Sequence, residues 1–188
     1  MELRVGTSVL GPDGQRYRVA RIDKGFDPNQ PRDDHGRWTS VGGSLGGNIP
    51  AFLSMVADTQ GGRPSVDKFV LEHGRGYPTD AGSYVGGEVH LCYKNASLAV
   101  IADDSLTYVE GYIDVHGVPI QHAWTVNKSG VVRDVTLRDG KGIRGYFGVP
   151  IKTRYMERAI LDAGVYGVLT HNQTQRLSAA DPREVIQR

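Results

Sequence analysis

The sequence predicts an α+β fold in which a helix packs on an antiparallel β-sheet. Three observations carry this. Residues 106–115, 118–126 and 131–137 are three β-like runs separated only by His116-Gly117 and by residues 127–130, the pattern of an antiparallel meander. Ahead of them, Ala96, Ala99 and Val100 fall at i+4, i+7 and i+8 from Cys92, a helical spacing. Behind them, residues 154–163 form a second helical stretch that stops at Gly164.

The chain divides into three parts. Residues 1–25 alternate loosely around the turn signal Gly11-Pro12-Asp13-Gly14 and predict a small β N-terminal piece, a hairpin that needs something to pack on. Residues 26–47 are rich in proline, glycine and polar side chains and read as a linker or extended arm. Residues 48–188 form the main domain. Asn48 is a cap and Pro50 a first-turn residue for a helix whose apolar face is Phe52, Leu53, Met55 and Val56. Ser65 caps a second helix carrying Val66, Phe69 and Val70, closed by Gly74. Residues 74–87 read as a glycine-rich loop bordering a cleft, without either phosphate-cradling pattern. Tyr146 to Ile151 and residues 165–170 are expected strands, and Asp181-Pro182-Arg183-Glu184 opens a C-terminal helix.

Composition narrows the function classes. A length of 188 residues suffices for one domain with a real core plus an appendage. A net charge of +1 gives no reason to expect nucleic acid or an anionic membrane as a partner. With 1 cysteine no internal disulfide can form, which fits a soluble protein of a reducing compartment. The N-terminus has no apolar core of signal-peptide length, and the longest apolar run, 98–102, is too short to cross a bilayer.

The chemistry concentrates between Cys92 and Thr136. Cysteine attacks as its thiolate, and a helix start beside an imidazolium favours that form. Cys92 opens a predicted helix, and His122 sits on a strand able to face it. His122, Trp124 and Val126 share one side of their strand, and Val132, Asp134 and Thr136 share one side of the next. A connecting turn of three or five residues sets His122 directly opposite Asp134, while four would break the pairing. Nucleophile, base and orienting acid are then Cys92, His122 and Asp134. The Cys92 N–H is the natural first oxyanion donor, with Asn95 or the segment 86–91 as the second. Glu110 is placed to orient a substrate amine or to position His122. Tyr93, Trp124, Tyr108 and Tyr146 are candidates to wall a cleft. Each of these residues also has a plainer reading: a buried cysteine, a structural histidine, a turn aspartate, core aromatics.

Two resemblances bear on the reading. Phe26-Asp27-Pro28-Asn29-Gln30-Pro31-Arg32-Asp33-Asp34-His35-Gly36-Arg37-Trp38 resembles the junction ahead of fused enzymatic domains in tailed-phage structural proteins. It implies a phage or prophage source, with phage structural proteins as partners and a place in the host cytoplasm or on the virion. Cys92-Tyr93-Lys94-Asn95-Ala96, His122-Ala123-Trp124-Thr125-Val126 and Val132-Arg133-Asp134-Val135-Thr136 resemble the transglutaminase-like (papain-type) core, with Val135 where that family has proline. This implies a thiol hydrolase or acyltransferase acting on a protein or peptide substrate. It uses Cys92 as nucleophile, His122 as base and acid, and Asp134 as orienting acid, with no cofactor or metal. Two rivals remain open: a non-enzymatic phage structural or binding module, and a zinc site using His90 and Cys92 with His116, His122 or His171.

Overall fold

The computed structural model describes residues 8–10, 16–18, 46–61, 64–78, 87–88, 90–137, 142–169 and 181–187. Its contacts divide the chain into two units, residues 1–40 and 41–188. In the first, β1 (Ser8–Leu10) and β2 (Arg16–Arg18) pair antiparallel with Ser8 opposite Arg18. The turn expected between them lies outside the described residues. So does the expected arm over 26–47, including the phage-like string, except at Gly46 and Gly47.

The second unit begins with two helices. In α1 (Ile49–Thr59) the apolar stripe is Ile49, Phe52, Leu53 and Val56, at i, i+3, i+4 and i+7. Met55 lies off that stripe and is exposed, contrary to expectation, and Asn48 holds the cap position without a side-chain hydrogen bond. In α2 (Val66–His73) the Ser65 hydroxyl accepts from the Lys68 N–H at 3.1 Å, and Val66 and Val70 are buried. Residues 75–77, expected to lie in a loop, instead form a strand, β3 (Arg75–Tyr77), because they find a ladder partner and a buried slot for Tyr77. Residues 79–86 of that expected loop lie outside the described residues.

The sheet follows α3 (Cys92–Ala102), whose Ala96, Ser97 and Val100 are buried. β4 (Thr107–Val115) and β5 (Val118–Val126) form a hairpin over His116-Gly117, both at positive φ (53° and 90°) as a tight two-residue turn requires. β6 (Val132–Arg133) and β7 (Ile143–Ile151) complete the order β3-β7-β4-β5-β6, with every pairing antiparallel. The two outer strands then meet, because the Val132 N–H donates to the Pro78 carbonyl at 3.2 Å. The sheet is therefore curled almost into a barrel. Tyr77, Val109, Ile113, Trp124, Val126, Val132 and Tyr146 fill its inside. Tyr108, Tyr112, Ala123, Val149 and Ile151 face the helices from outside.

Two expected strands are corrected. β6 is much shorter than 131–137, because the Asp134 carboxylate takes the Thr136 and Leu137 N–H groups that a longer ladder would use. Residues 165–169 form no strand. The Val168 and Leu169 N–H groups donate to Glu110 instead. They follow α4 (Thr153–Ala163), which ends at Gly164 with φ 69°. The chain closes with α5 (Pro182–Val185), capped by the Asp181 carboxylate. No helix among the described residues is long and apolar enough to cross a membrane.

Candidate thiol–imidazole–carboxylate site

His122 occupies the middle of β5, opposite Gly111 of β4, and is 5% exposed. Its Nε2 lies 2.7 Å from Asp134 Oδ2. The β5–β6 register pairs Thr125 with Arg133 and Val126 with Val132, so its continuation sets Asp134 across from Trp124 rather than from His122. The expected direct opposition is thus corrected to a diagonal. The five-residue connection 127–131 keeps both side chains on one face, and the length of the imidazole spans the offset.

Asp134 is 8% exposed and its two oxygens take four donors. Oδ2 accepts from His122 and from the Tyr146 hydroxyl at 2.9 Å. Oδ1 accepts from the backbone N–H groups of Thr136 and Leu137 at 2.9 and 3.0 Å. Burial pushes this carboxyl up, but the bond to His122, its charge and the two N–H groups outweigh burial and hold it below its ordinary value. For His122, burial acts to lower the pKa. The Asp134 hydrogen bond, the Cys92 thiol and both partners' charges reverse this and raise it to about 9. With Nε2 committed to the carboxylate, Nδ1 is the nitrogen left for the sulfur.

Cys92 is the first residue of α3 and half-buried. At a helix start the backbone N–H groups have no intrahelical acceptor and point out of the helix end. What fixes this end is a set of ties to the segment around Asp134. The Gly87 N–H donates to the Val135 carbonyl at 2.8 Å. Asn95 Nδ2 donates both to the Glu88 carbonyl at 2.7 Å and to Thr136 Oγ1 at 3.0 Å. A Cβ on Gly87 would sit 2.3 Å from the Val135 oxygen, so only glycine admits this approach. The stretches flanking Cys92 and Asp134 are stitched together, 41 residues apart for the Asn95–Thr136 bond.

Several expected roles change. Both amide hydrogens of Asn95 serve these ties, so the side chain is a brace rather than an oxyanion donor. Trp124 is fully buried and walls no cleft. Its ring stacks on His122 at 6.3 Å and 14°, with Tyr77 and Tyr146 edge-on to it, so it buttresses the imidazole. Tyr146 is likewise inside, and Tyr108 is buried with its hydroxyl donating to Glu110 at 2.8 Å. Tyr93 is half-buried against the helix-side core, and burial drives its hydroxyl well above its ordinary pKa. Glu110 is 2% exposed, and its oxygens accept from Tyr108, Val168 and Leu169 at 2.8, 2.7 and 2.8 Å. Burial raises it to about 7 against the pull of those bonds. It clamps the segment after α4 to the central strand. His90 is exposed and His116 lies in the hairpin turn. Among the described residues no group of three His, Cys, Asp or Glu could hold a metal, and His171 lies outside them.

Sequence reasoning missed the Tyr146 hydroxyl as the second donor to Asp134 Oδ2. Only the pairing of β7 with β4, which sets Tyr146 opposite Ile113 on the inner face, brings it there. No protein-family model, curated protein or solved structure matches this chain.

Proposed function

We propose that this chain is a cysteine-dependent enzyme acting on amide or acyl groups of a protein or peptide, built on a transglutaminase-like (papain-type) core. One observation carries the reading. A buried imidazole lies 2.7 Å from a four-donor carboxylate, and a half-buried thiol stands at the start of the helix that Asn95 ties to the segment after that carboxylate. A merely structural histidine needs no such arrangement. The phage-like string at 26–38 supports a phage or prophage source, with phage structural proteins among the partners.

In this reading His122 already carries the proton at Nδ1, as its raised pKa requires, and the sulfur attacks the carbonyl carbon as the thiolate of that ion pair. The developing oxyanion meets the N–H groups at the start of α3. The imidazolium returns the proton to the leaving nitrogen, the C–N bond breaks, and a thioester on Cys92 remains. Water then attacks, giving its proton to His122 and releasing the acid and the thiol. Asp134 holds the ring with Nε2 protonated and stabilises its positive charge throughout. Hydrolysis is the outcome preferred over acyl transfer to an amine, because water is always present.

The test is selective alkylation at mildly acidic pH. Wild type should label rapidly at Cys92 and His122→Ala slowly. Equal, slow labelling of both proteins would refute the reading and favour a structural module.

A further inference from the structure

We propose a second, separate site: an anion-binding cleft at the seam of the curled sheet that takes a small oxyanion, carboxylate or phosphate. It does not depend on the acyl-transfer reading. β3 and β6 meet at the bond from Val132 to Pro78, and beside it the turn before β6 parts from β3. The gap is a cleft of about 540 Å³, within the size range of small-ligand sites. Arg75 and Lys128 line it, with the hydroxyls of Thr107 and Ser129, and no carboxylate belongs to the described lining.

Both cations stand on fixed backbone. Arg75 is laddered to Gly148, its Nε donates to the Tyr77 hydroxyl at 3.2 Å, and its guanidinium lies 5.3 Å from the centre of the Tyr77 ring. Tyr77 itself is buried, so the guanidinium is oriented before any ligand arrives. Among the described residues no carboxylate engages its two terminal nitrogens, a planar fork suited to two oxygens of one anion. Lys128 rides a turn in which Asn127 Oδ1 accepts from the Ser129 and Val131 N–H groups, each at 3.0 Å. Asp103 feels the charge of Lys128, but its carboxylate takes the Ser105 N–H at 2.9 Å and is not part of the lining. Two cations and neutral hydroxyl donors, with no carboxylate in the described lining, select a negative ligand.

The experiment is a two-dimensional ¹H–¹⁵N NMR titration of the full chain at low ionic strength, with inorganic phosphate in one series and acetate in another. Saturable shifts of Gly76, Lys128, Ser129 and Gly130 are expected. Arg75→Gln, whose unchanged spectrum elsewhere would report an intact fold, should weaken binding about tenfold, the loss of one bidentate charge-assisted contact. The tighter of the two probes identifies the oxyanion. Shifts that never saturate, or an affinity unchanged in Arg75→Gln, would overturn the proposal.

Discussion

Asp134→Asn is nearly isosteric, yet the geometry makes it severe. The carboxylate takes two donors on each oxygen: His122 and Tyr146 on Oδ2, and the Thr136 and Leu137 N–H groups on Oδ1. An amide has one accepting oxygen, so either orientation turns its NH₂ against two donors in a buried site. If the NH₂ faces His122, the imidazole can accept it only by moving its own proton from Nε2 to Nδ1. In the proposed reading that nitrogen serves the thiol, and once protonated in the neutral ring it can no longer take the thiol proton. Breaking a buried pair from one side costs about 3–5 kcal/mol. For a domain of this size that lowers Tm by about 6–20 °C. Losing the base should slow Cys92 alkylation by about 10²–10⁴. Thermal unfolding reads the first number, timed labelling reads the second, and imidazole ¹⁵N shifts report the tautomer. An Asp134→Asn protein that melts within about 2 °C of wild type and labels at the wild-type rate would refute this account of the site.

Other consequences follow from the same contacts. His122 is raised from 6.5 to about 9, so its stabilising contribution is full below about pH 6.5 and lost as pH rises through about 9. Asp134 is lowered from 3.8, so its contribution is present above that value and lost as pH falls through its depressed one. The stability gap between wild type and His122→Ala should therefore be widest near pH 5–6 and should narrow above about pH 9, as denaturant melts at each pH will show. A constant gap would contradict the ion pair, and comparing two proteins cancels the separate titration of Glu110. Tyr146→Phe removes one hydrogen bond to a charged group and should cost about 1.5–3 kcal/mol in a urea melt. It should slow labelling far less than Asp134→Asn, because the tautomer survives. In Gly111→Ala the new Cβ would lie 2.4 Å from the Gly148 Cα and from the Phe147 carbonyl oxygen. Both are backbone atoms of β7, on the other side of β4 from His122, and a loss of about 3 kcal/mol is expected on thermal unfolding.

How much of this was legible in the sequence depends on the range of the interaction concerned. β4, β5 and the start of α3 follow from local alternation, a His-Gly turn and helical spacing, all within a few residues. The contact between His122 and Asp134 is legible through parity, since a five-residue connection keeps both on one face. What escaped depends on side chains capturing distant backbone. Glu110 replaces the expected strand over 165–170 by taking N–H groups 58 and 59 residues away. Asp134 ends β6 by taking the Thr136 and Leu137 N–H groups instead of leaving them to a ladder. The sequence offers Trp124 as a cleft wall and Asn95 as an oxyanion donor, but Trp124 packs inside the sheet and Asn95 braces the helix start. Nothing local reveals that the curled sheet has an inside to fill, or that Asn95 meets Thr136.

The most direct measurement of the central claim is intact mass after mixing the protein with a peptide p-nitrophenyl ester. The account predicts a transient adduct of one acyl group on Cys92, absent in Cys92→Ala and formed at least about a hundredfold more slowly in His122→Ala. No adduct on Cys92, or one that forms as fast without His122, would contradict it.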